Sequence, residues 1–319
     1  MQAGFEIVAG SIVPAPAERA NILVYAGPDD RDKQEIIQTF GLDPYELDSA
    51  LDPDEISRVE FAPIRVSVIW KRPKNAALDR NQVRFDVASL GLFLHRDRLV
   101  VILGEDAVPF SAREFQGIGT MIDVLLRILL HTVHHYLGHL KVIKQLTVEL
   151  GSKISTSMEN RYLLQMVALS ESLIYYQNAI EANGTVLTKL CGNVERMAFS
   201  SEQIEALHDI ELDNQQCTRQ AQIYSSVLSG LMDARGTIIN NNVNVLLKKL
   251  TLINVIFLPL TLIASIGGMS EFSMMTQGID WKISYSLLTL GMILLGWVTW
   301  VALVRILDKR PTKLAKAKR

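Results

Sequence analysis

The chain has 319 residues, 49% of them hydrophobic and 21% charged, with a formal net charge of −2. That length fits about two domains, and so much apolar content beside an ordinary share of charge points to a soluble part joined to a membrane part. The near-neutral balance excludes a general nucleic-acid binder, whose phosphate affinity needs concentrated Lys and Arg. Two cysteines, Cys191 and Cys217, make neither a disulfide framework nor a metal-type pair, in keeping with a reducing compartment. The opening "MQAGFEIVAGSIVPAPAERA" lacks the basic start and apolar core of a secretory signal.

In chain order, residues 1–110 read as a mixed α/β domain. "NILVYAG", "VSVIWKR", "VRFDVASLGLFLHR" and "RLVVILG" are runs of Val, Ile, Leu and Phe bounded by turn formers, so they predict strands. "DDRDKQEIIQTFGL" between them has helical periodicity and a glycine stop. Residues 111–199 then read as a helical hairpin and 200–249 as a stalk helix. Three capping-box patterns mark the starts: Ser111 with Glu114, Thr156 with Glu159, and Ser200 with Gln203. They predict helices over 112–150, 157–190 and 201–266, the last running uninterrupted into an apolar segment that contains Pro259. A helix of that length needs partners along it.

Residues 250–268 and 283–304 carry no charge, and each has about the 20 residues that cross a bilayer as a helix. Lys248 and Lys249 precede the first span. Arg305, Lys309, Arg310, Lys313, Lys316, Lys318 and Arg319 follow the second, in the basic tail 305–319. The 269–282 loop between the spans has one Lys against Glu271 and Asp280. The positive-inside rule therefore puts both termini in the cytoplasm and the loop outside, with Trp281, Trp297 and Trp300 near the interfaces. The expected fold class is an α+β cytoplasmic domain joined by a long stalk helix to two transmembrane helices of a cell (inner or plasma) membrane.

Stepping from Asn240 by four and three gives Asn240, Asn244, Leu247, Thr251, Asn254, Leu258, Thr261 and Ser265. This heptad seam is mostly polar although its second half lies in the apolar span. A constant register faces one partner or one axis, and polar groups in a bilayer face a bundle interior or a water-filled cavity. A pore lined by copies of this helix accounts for both; single members such as Thr251, Asn254 and Thr261 are equally read as interhelical hydrogen-bonding groups. No charge lies between Lys249 and Glu271, so neutral oxygens would handle an ion, and Leu247, Leu250 and Leu258 would gate by dewetting.

The stretch "NVNVLLKKLTLINVIFLPLTLIASIGGMS" resembles the CorA-type divalent-cation transporters (CorA/ZntB-like), with its Asn, Lys-x-Leu-Thr, Phe-Leu-Pro-Leu-Thr and closing Gly-Met turn. "LDPDEISRVE" and "GLFLHRDRLVVIL" resemble the family's acidic segment and edge strand pair. The resemblance is specific over 233–270. It implies a funnel-shaped homopentamer in a lipid bilayer, with pore positions Asn244, Leu247, Leu250, Leu258 and Thr261. Mg2+, Zn2+ or Co2+ would be cargo or regulator. It also places Asp233 at a cytoplasmic metal-sensing site, with a carboxylate such as Asp79 or Asp86 from a neighbouring subunit. The family signature is Gly-Met-Asn; here Gly268, Met269 and Ser270 stand in its place, with Glu271 the acidic group at the outer mouth. A serine ring would be wider than an asparagine ring, and its hydroxyl both donates and accepts, so altered selectivity is expected.

"HTVHHYLGH" adds His131, His134, His135 and His139. Spacings of three and four set them on one helical side, and His131, His135 and His139 are candidate Zn2+ ligands or a pH-responsive set; a solvated or inter-helix face is the plainer alternative. No phosphate loop, nucleophile elbow or zinc-protease motif occurs, so no enzyme and no cofactor are expected. The expected activity is passive cation flux, with a Zn2+ transporter or a non-conducting membrane scaffold on the same fold as alternatives.

Overall fold

A computed structural model describes residues 2–79, 82–104, 110, 113–156 and 160–308. The chain divides into two compact units, Met1–Asp233 and Ala234–Arg319.

In the first unit the strands are β1 (Gln2–Val8), β2 (Ser11–Pro14), β3 (Ile22–Ala26), β4 (Arg58–Phe61), β5 (Arg65–Pro73), β6 (Ala77–Asp79), β7 (Gln82–Arg84), β8 (Val87–His95) and β9 (Leu99–Leu103). Seven of them form one sheet in the order β2-β1-β3-β9-β8-β5-β4, and β6 pairs with β7 in a separate ribbon. β3 and β9 pair in parallel, and the other pairings among the described strands are antiparallel.

Period-two alternation sends the central strands into two cores. Ile22, Val24, Leu99, Val101 and Leu103 enter the larger core, while Leu23, Tyr25, Val100 and Ile102 face the smaller one. This burial on both faces explains why these strands read as continuous apolar runs. Helices α1 (Asp30–Phe40) and α2 (Pro44–Leu51) supply Ile36, Leu47 and Ala50 to the smaller core. Gly41 ends α1 at φ 60, the left-handed conformation open to a residue without Cβ.

The larger core is closed by α3 (Met121–Thr156), α4 (Asn160–Cys191) and the first part of α5 (Ser201–Gly267). Sheet and helices share this one core, so residues 1–110 and 111–199 are not separate bodies, and the unit runs on to Asp233. Asn183, fully buried on α4, accepts from the Lys71 N–H at 3.0 Å and the Ser57 hydroxyl at 2.7 Å, and donates to the Lys71 carbonyl at 2.8 Å. It thereby fastens α4 to β5 with both its own amide oxygen and amide nitrogen hydrogen-bonded.

One start differs from expectation, and the Thr156–Glu159 box falls partly on residues 157–159, outside the described residues. Ser111 also lies outside them. Glu114 sits in the 3-10 turn Arg113–Phe115 and does not cap a helix; α3 starts at Met121, capped by Thr120 and Asp123. The Asp123 carboxylate takes the Gly119 and Thr120 amides at 2.9 and 2.8 Å, which fixes the start of α3. The Ser200–Gln203 box forms as expected, with both reciprocal bonds present. Gln203 also donates to Thr120 Oγ1 and Asp123 Oδ1, at 3.0 and 2.6 Å, so the caps of α3 and α5 interlock.

The second unit contains the rest of α5, a short helix α6 (Ser270–Met275) and α7 (Trp281–Asp308). The six residues of α6 occupy part of 269–282, where a plain loop was expected. Lys309 and the rest of the basic tail lie outside the described residues.

Candidate ion-conduction path

α5 stays helical through Pro259, which costs one backbone bond, and ends at Gly267. Both α5 and α7 are long and apolar enough to cross a membrane, and their apolar windows are almost entirely exposed within the chain. A core helix of a soluble protein would be mostly buried. Apolar surface of this extent needs lipid or a partner.

One side of α5 packs on α7. Leu252, Ile256, Pro259, Leu260 and Ile263 are half-buried there, and Gly267 is buried. At the contact, a Cβ on Gly267 would lie 2.4 Å from Leu288 Cδ2, and one on Gly296 would lie 3.3 Å from Leu260 Cδ1. Any Cβ at Gly267 would have to push the Leu288 methyl aside, so glycine gives this contact its closeness. The Tyr285 hydroxyl donates to the Gly267 carbonyl at 3.0 Å, satisfying an oxygen left over at the helix end. Phe272 meets Tyr285 edge to face at 5.8 Å, which ties α6 to α7.

The polar seam lies away from that contact. Asn240, Asn244, Leu247, Leu250, Thr251, Asn254, Leu258, Thr261 and Ser265 are all exposed. Asn254 falls midway between Leu252 and Ile256, Leu258 between Ile256 and Leu260, Thr261 between Pro259 and Ile263, and Ser265 between Ile263 and Gly267. Two positions along an α-helix is a rotation of about 160–200°, so the seam faces opposite to α7. Within the chain, the hydroxyls of Thr251 and Thr261 bond back to the carbonyls of Leu247 and Phe257, each at 2.8 Å, and do not bridge to α7.

At the end of the seam, Gly268 N–H still reaches the Ala264 and Ser265 carbonyls at 3.0 and 3.2 Å. Met269 then turns extended, at φ −81 and ψ 151, and α6 begins at Ser270. Gly268, Met269, Ser270 and Glu271 are all exposed, and the Ser270 hydroxyl donates to Glu271 Oε2 at 3.2 Å. Asp280, which the sequence reading used only as a charge, caps α7 by accepting from Lys282 N–H at 3.0 Å. Tyr285 was missed altogether. Its signal, an aromatic hydroxyl four residues into an apolar helix, points to no partner until α5 is in place.

The other candidate residues are in the first unit. Asp233 is exposed on α5, Asp86 is exposed just before β8, and Asp79 ends β6. His131 and His134 both turn Nδ1 to Glu114, at 2.6 and 2.5 Å, and His134 Nε2 lies 3.3 Å from Asp213. Burial raises the Glu114 carboxyl, but hydrogen bonds from His134 and His131 outweigh it and leave the pKa below the usual value. The His135 and His139 rings meet edge to face at 4.4 Å, and His139 Nδ1 lies 2.6 Å from the Tyr176 hydroxyl. Burial, with His135 beside it, pushes the His139 imidazole down to about 4. Burial, then His131 and Arg72, lower His135 as well. His131, His135 and His139 thus form a row with separate partners, and they do not gather their nitrogens around one point.

Residues 18–309 match the family model described as "CorA-like Mg2+ transporter protein". The chain belongs to that family. Two relatives named "Cobalt/magnesium transport protein CorA" accord with it. The one from Methanocaldococcus jannaschii is 24% identical over 253 residues, 76% of this chain and 77% of its own. The one from Thermotoga maritima is 25% identical over 260 residues, 79% of this chain and 72% of its own. The complete structure of the CorA magnesium transporter from Methanocaldococcus jannaschii superposes with a TM-score of 0.75 at 19% identity, covering 97% of each chain. The α+β domain, long helix and two apolar C-terminal helices are therefore CorA-like from end to end, and this is a divalent-cation transporter family of membrane proteins.

Proposed function

We propose that the protein is a CorA-like cation channel of the cell (inner or plasma) membrane. Identical chains, five in number, would set their α5 seams around one axis, and cations would pass down their electrochemical gradient. Both termini would be cytoplasmic, as the flanking Lys and Arg suggest. The observation that carries the reading is the exposed seam from Asn240 to Ser265, facing opposite to α7 on a helix apolar enough to cross a membrane. A polar face in that setting needs water or a like partner. Ser270 follows directly and would form the narrow ring that sets selectivity. Mg2+ sheds its water shell reluctantly, so a ring of hydroxyls would meet hydrated ions. The names of the two curated relatives make Mg2+ and Co2+ the first cargoes to test. Asp233 with Asp79 or Asp86 of a neighbouring subunit would form a cytoplasmic sensor that closes the path when the ion is abundant.

The test is flux into liposomes containing the purified chain, with Mg2+, Co2+, Zn2+ and Na+ compared. Divalent flux without ATP is expected. Asn254→Leu with Thr261→Val lines the path with apolar groups, which favours dewetting, and should cut that flux by about tenfold or more, a cost of about 1.4 kcal/mol. Flux unchanged by the double substitution would take the path off the seam, and no flux of any cation would favour a non-conducting scaffold on the same fold.

A further inference from the structure

In the first unit, three side chains of different chemistry converge where α4 hands over to α5. Cys191 is the last residue of α4, and His208 and Glu211 lie three apart on α5. The turn between them is set by the Ser200–Gln203 capping box. Cys191 Sγ lies 4.0 Å from His208 Nδ1 and 3.7 Å from Glu211 Oε2, and His208 Nδ1 lies 3.9 Å from the same oxygen. At 3.9 Å the imidazole and carboxylate are not hydrogen-bonded, and the thiol contact is weak. The cluster is thus held together only by long, weak contacts of the thiol.

The triangle has the size of a metal's ligand face. Tetrahedral Zn2+ with one sulfur, one nitrogen and one oxygen ligand has edges of about 3.4–3.6 Å, from its usual bond lengths. The observed edges exceed these by a few tenths of an ångström. Among the described residues, this is the group of three whose ligand atoms come together in this way. A second observation orients it: Thr188, one turn before Cys191, donates its hydroxyl to Glu211 Oε1 at 3.0 Å, which leaves Oε2 turned to the thiol and imidazole. Outer contacts of this kind fix a ligating carboxylate. His208 is exposed and the other two are half-buried, so a fourth position opens to water.

We propose that Cys191, His208 and Glu211 form a Zn2+ site that clamps α4 to α5 in the first unit, separate from the conduction path. A thiolate and an imidazole suit Zn2+, whereas Mg2+ demands oxygen ligands. The site stands whether or not ions cross the membrane through the seam. Its effect would be mechanical: the metal joins the end of α4 to the early turns of the helix that continues into the membrane segment.

The test is Co2+ titration of the full chain in detergent micelles, with thiols kept reduced, Co2+ serving as the spectroscopic stand-in for Zn2+. One equivalent per chain should give a thiolate-to-cobalt charge-transfer band and the ligand-field bands of tetrahedral Co2+. Zn2+ should displace both, and excess Mg2+ should not. Oxygen-only sites in the membrane part give no sulfur band, so the two readings fail separately. Cys191→Ser should abolish the band; His208→Ala, Glu211→Gln and Thr188→Val should each weaken binding about 10- to 100-fold. Cys217→Ser, in the buried core, should leave the spectrum unchanged. Far-UV circular dichroism checks that each variant is folded. Absence of a sulfur band at stoichiometric Co2+ in the unsubstituted chain, or its survival in folded Cys191→Ser, would overturn the proposal.

Discussion

Ser270 donates its hydroxyl proton to Glu271, which leaves the oxygen's lone pairs as its free hydrogen-bonding capacity. A hydrated cation presents water hydrogens outward, so this oxygen suits the shell, but from a side chain shorter than the family's asparagine. Ser270→Asn should raise the ratio of Mg2+ to Na+ flux in liposomes by about tenfold, the worth of one modest hydrogen bond. An unchanged ratio would remove Ser270 from the selectivity step. His139 makes a prediction about pH. Its folded pKa, about 4, lies below the ordinary histidine value, so the imidazole stays neutral in the fold while the unfolded chain takes up a proton. Stability should therefore fall as pH drops from about 6.5 towards 4. Unfolding temperature in detergent should follow this slope and flatten in His139→Gln, with His135, Tyr176 and Arg72 unchanged around it.

At the scale of elements, α2 lies close on β8. A Cβ on Gly91 would sit 2.5 Å from Ala50 Cβ and 2.8 Å from the Phe93 ring, and neither neighbour can swing aside as a long side chain would. Gly91→Val should force α2 off the sheet and cost about 1–3 kcal/mol or more, read as a lower unfolding temperature. Much at this scale was legible beforehand. β3, β5, β8 and β9 announced themselves as apolar runs because both sheet faces are covered, and α5 because no proline but Pro259 interrupts it. The β1–β2 hairpin did not, since its inner residues are half-buried and its ends exposed, with no alternation between faces to read. α2 went unread although Asp43, Pro44 and Glu46 spell a capped start, because eight residues offer too little periodicity. At the candidate path the seam was legible as spacing alone. Which side of α5 meets α7 was not, because that depends on the close approach at Gly267. Likewise, Cys191 and His208 are distant in sequence, and only the hairpin of α4 and α5 brings them together.

For the whole molecule, the proposed assembly has a direct measurement. Amine cross-linking of the detergent-solubilised chain should give a ladder that stops at five bands, and a different last band would replace the pentamer. The family membership needs no such test, since the match runs through residues 18–309 and the fold superposes over 97% of the chain. The seam then has a genetic consequence. Each chain offers Asn254 once, but a closed ring of identical chains repeats every defect around its axis. In a cell making equal amounts of unsubstituted and Asn254→Leu chains, about one ring of five in thirty would be free of the substitution. A change that merely weakens one chain would therefore behave as dominant, silencing the product of the intact copy beside it.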